Sequence, residues 1–176
     1  QVPDDIIHGS QTVLNEFRPR FELPATLARP DAGADLVNAA LDVMIEERIP
    51  VFSAAIGVPD ALLVQRFHEV GTTVVAMVAT TEDAMTAVEN GADVIVAQGT
   101  ESGGHRSYGT KRAKNNAIGQ STLVLVPHVI DHVGHRVPVV AAGGIVDGRG
   151  LAAMLALGAD GVLLGSRFAL LQDLLL

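Results

Sequence analysis

From residue 50 onward the chain alternates short apolar runs with stretches whose apolar positions recur at helical spacing. Residues 35–47 (DLVNAALDVMIEE) carry that spacing and predict an amphipathic helix ended by Pro50, after which VFSAAIG reads as a short buried strand. Residues 60–70 predict a helix stopped at Gly71, because glycine tolerates the left-handed cap. TVVAMVAT is then a strand, and TTEDAMTAVENG a helix opened by a threonine cap and closed by Gly91. DVIVAQG is the next strand, residues 103–120 a long polar loop, and LVLVPHVIDHVG a helix around its proline. PVVAAGG, DGRGLAAMLALG and DGVLLGS complete a strand, a helix and a final strand. Residues 1–21 read as polar and irregular, and Pro19, Pro24 and Pro30 break the chain before the first amphipathic helix.

Two stretches repeat one plan. Residues 75–99 and 139–166 each run strand, helix, Gly-Ala-Asp, strand. Repeats of this kind, joined by right-handed crossovers, build a parallel sheet covered by helices. The pattern yields about four or five strands, half of the eight in a barrel. The expected fold is therefore α/β, the C-terminal portion of an incomplete (β/α)8 TIM barrel, with residues 1–176 as one domain. A doubly wound sheet is the alternative. An apolar tail, LLQDLLL, comes after the last strand with no obvious closing helix.

Composition supports this picture and narrows the function. Hydrophobic residues make up 48% and charged residues 18%, with few aromatics, as suits buried parallel strands and alanine-rich helices. A net charge of −8 without a long basic run disfavours nucleic acid. With no cysteine there are no disulfides, thiolates or cysteine metal sites. No stretch reads as a signal peptide or a bilayer span, so a soluble cytoplasmic protein without membrane partners is expected. Oligomeric state is left open.

The chemistry concentrates at strand ends. Gly143-Gly144 follows one strand and Gly165-Ser166 another; in barrels such turns bind phosphate, since glycine lets backbone N–H groups approach its oxygens. The simpler reading is that these glycines only make tight turns. Asp147 is placed to cap the following helix, Arg149 to sit in solvent on its first turn, and Arg167 to face either a phosphate or solvent. Gln98, Glu101, Gly103, Gly104 and His105 directly follow the strand DVIVA, on the rim where barrels do chemistry. A histidine there exchanges protons near neutral pH and suits a general base, although a lone loop histidine is often incidental. His128, His132 and His135 share a helical stripe but read as a solvated face, so no metal is expected. Lys111, Arg112 and Lys114 read as part of a solvated loop.

AQGTESGGHR, then LVPHVID, then VPVVAAGGIVDGRGLAAMLALGADGVLLGSRF closely resemble the nitronate monooxygenase family, over residues 50–168. The resemblance implies an FMN-dependent barrel that oxidises alkyl nitronates or nitroalkanes with molecular oxygen. It implies that His105 takes the α-proton, that Gly143-Gly144 and Gly165-Ser166 hold the FMN phosphate, and that Gln98, Gly103 and Gly104 lie near the flavin. Ser102 stands in place of the usual alanine, Ser166 in place of the usual threonine, and the loop after His105 lacks the usual glycine. No match to the family's early strands precedes residue 50, so the first strands are expected to be missing. The nearest rival is a flavin-dependent enoyl-acyl carrier protein reductase, which shares the Gly-Gly-His block and both turns. A flavin-free phosphate-binding barrel and an inactive remnant are the other readings; the first lacks the lysine or glutamate expected at the ends of VVAMVA and PVVAA.

Overall fold

The computed structural model describes residues 2–30, 36–107 and 119–170. These form two compact units, residues 1–41 and 42–176. The basic cluster at Lys111, Arg112 and Lys114 and the apolar tail from residue 171 lie outside the described residues, as does most of the long polar loop.

The first unit differs from the sequence reading. Helix α1 (Asp4–Asn15) and a 3-10 turn (Arg18–Phe21) occupy the stretch expected to be irregular. Gly9 and a largely polar composition hide the helix, which polar clasps help to hold. Gln11, nearly buried, donates to Ala28 O at 3.1 Å, and Asn15 donates to Thr26 O at 3.0 Å. Arg18 reaches Gln11 Oε1 at 2.6 Å and Asn15 Oδ1 at 2.5 Å. Asp4 and Asp5 in the first turn also suit the positive end of the helix dipole.

Helix α2 (Leu36–Glu46) precedes the alternating region. There follow β1 (Val51–Ala54), α3 (Ala61–Glu69), β2 (Thr73–Val78), α4 (Thr81–Glu89) and β3 (Val94–Gln98). Then come α5 (Thr122–Val133), β4 (Val139–Ala142), α6 (Gly148–Ala156), β5 (Gly161–Leu163) and a single helical turn, α7 (Ser166–Ala169), that the sequence pattern does not predict.

The five strands form one parallel sheet in the order β1-β2-β3-β4-β5. A doubly wound sheet reverses its strand order at a switch point. This sheet has no reversal, so crossovers of one hand stack the helices on one face, as in a barrel wall. Val78, Ile95, Ala97, Val139 and Ala141 meet Ala84, Ala87, Leu125, Val126 and Val129 in the core between strands and helices. The opposite face carries Met77, Val96, Gln98 and Ala142, by the alternation of side chains along a strand.

The repeated Gly-Ala-Asp has a specific use. Gly91 and Gly158 take φ of +100° and +94°, turning the chain after α4 and α6. The aspartate then clamps the start of the preceding strand twice. Asp93 N–H donates to Val74 O at 2.9 Å while Val74 N–H donates to Asp93 Oδ2 at 2.7 Å. Asp160 N–H donates to Val139 O at 2.9 Å while Val139 N–H donates to Asp160 Oδ2 at 2.8 Å. Each aspartate thereby sets register at the N-terminal end of the sheet, away from the rim that carries the site.

Helix α5 keeps its shape despite Pro127. An interior proline costs about 3 kcal/mol. Burying Leu125, Val126, Val129 and Val133 contributes on the order of 6–12 kcal/mol of transfer free energy, so packing prevails. The proline helix expected from sequence is confirmed.

Candidate functional site

Four strand ends, of β2 to β5, build one cleft. Its volume is about 370 Å³, within the range of small-molecule sites. Met77, Gln98 and Ala142 line it at the strand ends; Glu101, Ser102 and Gly103 follow β3; Gly143 and Gly144 follow β4; Gly165, Ser166 and Arg167 follow β5. Eight of the residues singled out from sequence therefore come together: Gln98, Glu101, Gly103, Gly143, Gly144, Gly165, Ser166 and Arg167. Gly104 and His105 are exposed on the adjoining loop and are not among the lining residues.

Gln98 is buried, and both ends of its amide hold that loop. Its Nε2 donates to His105 O at 3.0 Å, and its Oε1 accepts from Ser107 N–H at 2.8 Å. Arg106 folds the same loop back onto β3, donating to Gly99 O at 2.7 Å and also to Thr100 O. The histidine backbone is thus anchored to β3, with its side chain left exposed.

Thr122, which no sequence motif singles out, is the hub between the β3 and β4 ends. It is nearly buried at the first turn of α5. Its N–H donates to Glu101 Oε2 at 2.8 Å, and its hydroxyl stands 3.0 Å from both Glu101 Oε2 and Gly143 O. Ser121, the residue before the helix, makes no side-chain cap, so Glu101 takes that part from another strand end. Burial works to raise the Glu101 pKa. The N–H groups of Thr122 and Glu101 itself, with the hydroxyls of Thr122 and Thr100, outweigh burial and hold it below the usual glutamate range. A signal existed in the sequence: a polar threonine opening an otherwise apolar helix.

The glycines separate into two classes. A Cβ at Gly99 would lie 2.1 Å from Thr122 Oγ1 and 2.3 Å from its backbone nitrogen, so β3 and α5 meet only because residue 99 has no side chain. At Gly143, with φ +116°, a Cβ would lie 2.6 Å from Ser102 Oγ. Packing within the protein thus explains those two. Gly165 is different: its φ is −105° and nothing lies within 4 Å of where its Cβ would sit. No contact within the described residues requires glycine there, yet it faces the cleft. A ligand approaching the backbone closely would.

Asp147 caps α6 as expected, accepting from Arg149 N–H at 3.0 Å and Gly150 N–H at 3.3 Å. Its pKa is lowered, first by the hydrogen bond from the Arg149 side chain, then by Gly150 N–H, with Arg167 adding a weaker attraction. Arg149 is exposed but paired with Asp147 rather than simply solvated, and the exposed pair contributes little to stability. His128, His132 and His135 are exposed.

Comparison with known proteins agrees with this geometry. The family described as nitronate monooxygenase matches residues 18–174. The chain belongs to the nitronate monooxygenase family. A probable nitronate monooxygenase from Staphylococcus aureus is 38% identical over 133 residues, 76% of this chain and 37% of that protein. Among solved structures, the nitroalkane oxidase from Streptomyces ansochromogenes superposes with a TM-score of 0.84 at 33% identity, covering 98% of this chain and 49% of that one. FabK from Thermotoga maritima superposes with a TM-score of 0.67 at 33% identity, over 96% of this chain and 48% of its own. The chain spans about two fifths of the length of the curated nitronate monooxygenases it matches and about half of these structures. Within the family's barrel, the five strands here are consecutive staves, and the cleft lies at their C-terminal ends. No described helix is long and apolar enough to cross a membrane.

Proposed function

We propose that this chain carries the phosphate-binding and acid–base part of an FMN-dependent oxidoreductase that oxidises alkyl nitronates or nitroalkanes with O2. The observation that carries the reading is the convergence of Gly143-Gly144, Gly165-Ser166 and Arg167 with Gln98 and Gly103 on one cleft beside the His105 loop. The donor set fits a phosphate. Arg167 brings a cation, Ser166 a hydroxyl, and Gly165 an open backbone approach. The carboxylate lining the cleft, Glu101, is engaged by Thr122.

In this reading Gly165, Ser166 and Arg167 hold the FMN phosphate with the Gly143-Gly144 turn, and the Met77–Gln98 side of the cleft lies toward the ring. Bound flavin supplies the electron acceptor, which O2 returns to its oxidised form. The protein's own step is proton transfer: the His105 imidazole accepts the α-proton of a neutral nitroalkane, leaving the nitronate for oxidation. Gln98 orients the backbone that carries the imidazole.

The visible absorption spectrum of the purified full-length protein, with nitronate-dependent oxygen uptake, tests this. Flavin bands near one equivalent and oxygen uptake on adding nitronate support it. A colourless protein that takes up no added FMN overturns it. The likeness to FabK and the shared Gly-Gly-His block keep a second reading, enoyl-thioester reduction, in view. NADH consumption with a crotonyl thioester, and no response to nitronate, would favour that reading.

A further inference from the structure

Ser107 is 1% exposed and lies two residues beyond His105, in a segment that Gln98 and the Arg106 side chain hold to the end of β3. Its N–H donates to Gln98 Oε1 at 2.8 Å, and its hydroxyl accepts from Ile56 N–H at 3.4 Å. Ile56 belongs to the turn after β1, 51 residues before Ser107 in the chain but met here at the same rim. That residue has a φ of +64°, a conformation disfavoured for a β-branched side chain, and its side chain is 66% exposed. Packing of the isoleucine side chain therefore does little to hold the turn. The bond to Ser107 gives it a fixed partner.

We propose that Ser107 is a positioning residue for His105, tying the histidine loop to the turn after β1 and so limiting where the imidazole is held beside the cleft. Gln98 grips the loop backbone at residues 105 and 107 from β3, and a side chain at 107 is needed only for the further anchor to Ile56. A glycine or alanine at 107 would keep the bond to Gln98 and lose that anchor. Proton transfer needs the imidazole within hydrogen-bond reach of the substrate carbon's proton, so small displacements of the loop lower the rate. The turns assigned to phosphate lie at the ends of β4 and β5, so FMN affinity does not depend on this tie. The proposal rests on the reading of His105 as the base.

Ser107→Ala in the full-length protein tests it, with Ser107→Gly as a second variant lacking the side chain altogether. Two readouts need no turnover: hydrogen exchange at the Ile56 amide, and the NMR line width of the His105 ring, assigned by loss of its signal in His105→Gln. Expected are about tenfold faster exchange at Ile56 and a broadened His105 signal, with the His68 and His128 signals unchanged. The rate with neutral nitroalkane falls about tenfold while FMN affinity stays within about twofold. An unchanged His105 signal, or equal broadening of all three histidines, overturns the proposal. Wild-type protein that binds no FMN and oxidises no nitroalkane, with the NMR changes present, defeats the functional reading and leaves the loop tie standing.

Discussion

The Glu101 carboxylate holds the amino end of α5 through Thr122, accepting its N–H at 2.8 Å with the Thr122 hydroxyl 3.0 Å away. The same hydroxyl lies 3.0 Å from Gly143 O, so one buried side chain spaces the β3 rim from the β4 turn. The width of the cleft between Glu101 and Gly143-Gly144 depends on this contact.

Because the folded pKa of Glu101 is lowered, its contribution to stability is present above the ordinary glutamate value and is lost as pH falls through the folded one. Glu101→Gln should lower stability at pH 7 and flatten the acid limb of the stability profile. Urea unfolding between pH 3 and pH 7 measures both. An acid limb as steep as the wild type's would show that another carboxylate governs it.

Gly99→Ala should be among the most damaging small substitutions, since the added methyl meets the Thr122 backbone. Overpacking of this kind costs about 1–3 kcal/mol or more. Gly165→Ala meets nothing within 4 Å and should leave the unfolding midpoint unchanged while weakening FMN binding. Thermal unfolding and FMN titration of both variants separate the two kinds of glycine; equal FMN affinity in Gly165→Ala would remove the argument for a close ligand there.

Asp160→Ala removes the acceptor of Val139 N–H and should destabilise by about 1–2 kcal/mol, as should Asp93→Ala at Val74. Both sit at the end of the sheet remote from the cleft. Chemical denaturation should show the loss, with FMN affinity preserved in the surviving folded protein.

His105→Gln should retain FMN yet lose about 10²–10⁴ in rate with a neutral nitroalkane. Supplied as the pre-formed nitronate, the substrate no longer needs its α-proton removed, and turnover should largely survive. Equal losses with both substrates would assign the histidine to something other than proton abstraction.

The repeat in residues 75–99 and 139–166 is legible because a buried parallel strand and an alternating helix leave separate periodicities in the chain. The threonine cap at Thr80 and the aspartate cap at Asp147 are legible for the same local reason: each bonds an N–H two or three residues on. Helix α1 is not, since its support comes from Ala28 O and Thr26 O, residues distant in sequence. The polarity of Thr122 ahead of an apolar run is legible, but its role is not, because its partners, Glu101 and Gly143, lie about 21 residues away on either side.

Sequence by itself determined the strand–helix alternation, the glycine turns at strand ends and the family resemblance, because period and local bonding are written in neighbouring residues. Tertiary structure alone decided which glycines answer to packing and which to open space. It also decided that Gln98 holds the His105 loop by both ends of its amide, and that Ser107 meets Ile56. Such contacts depend on where strand ends converge, and the chain reaches them only by folding.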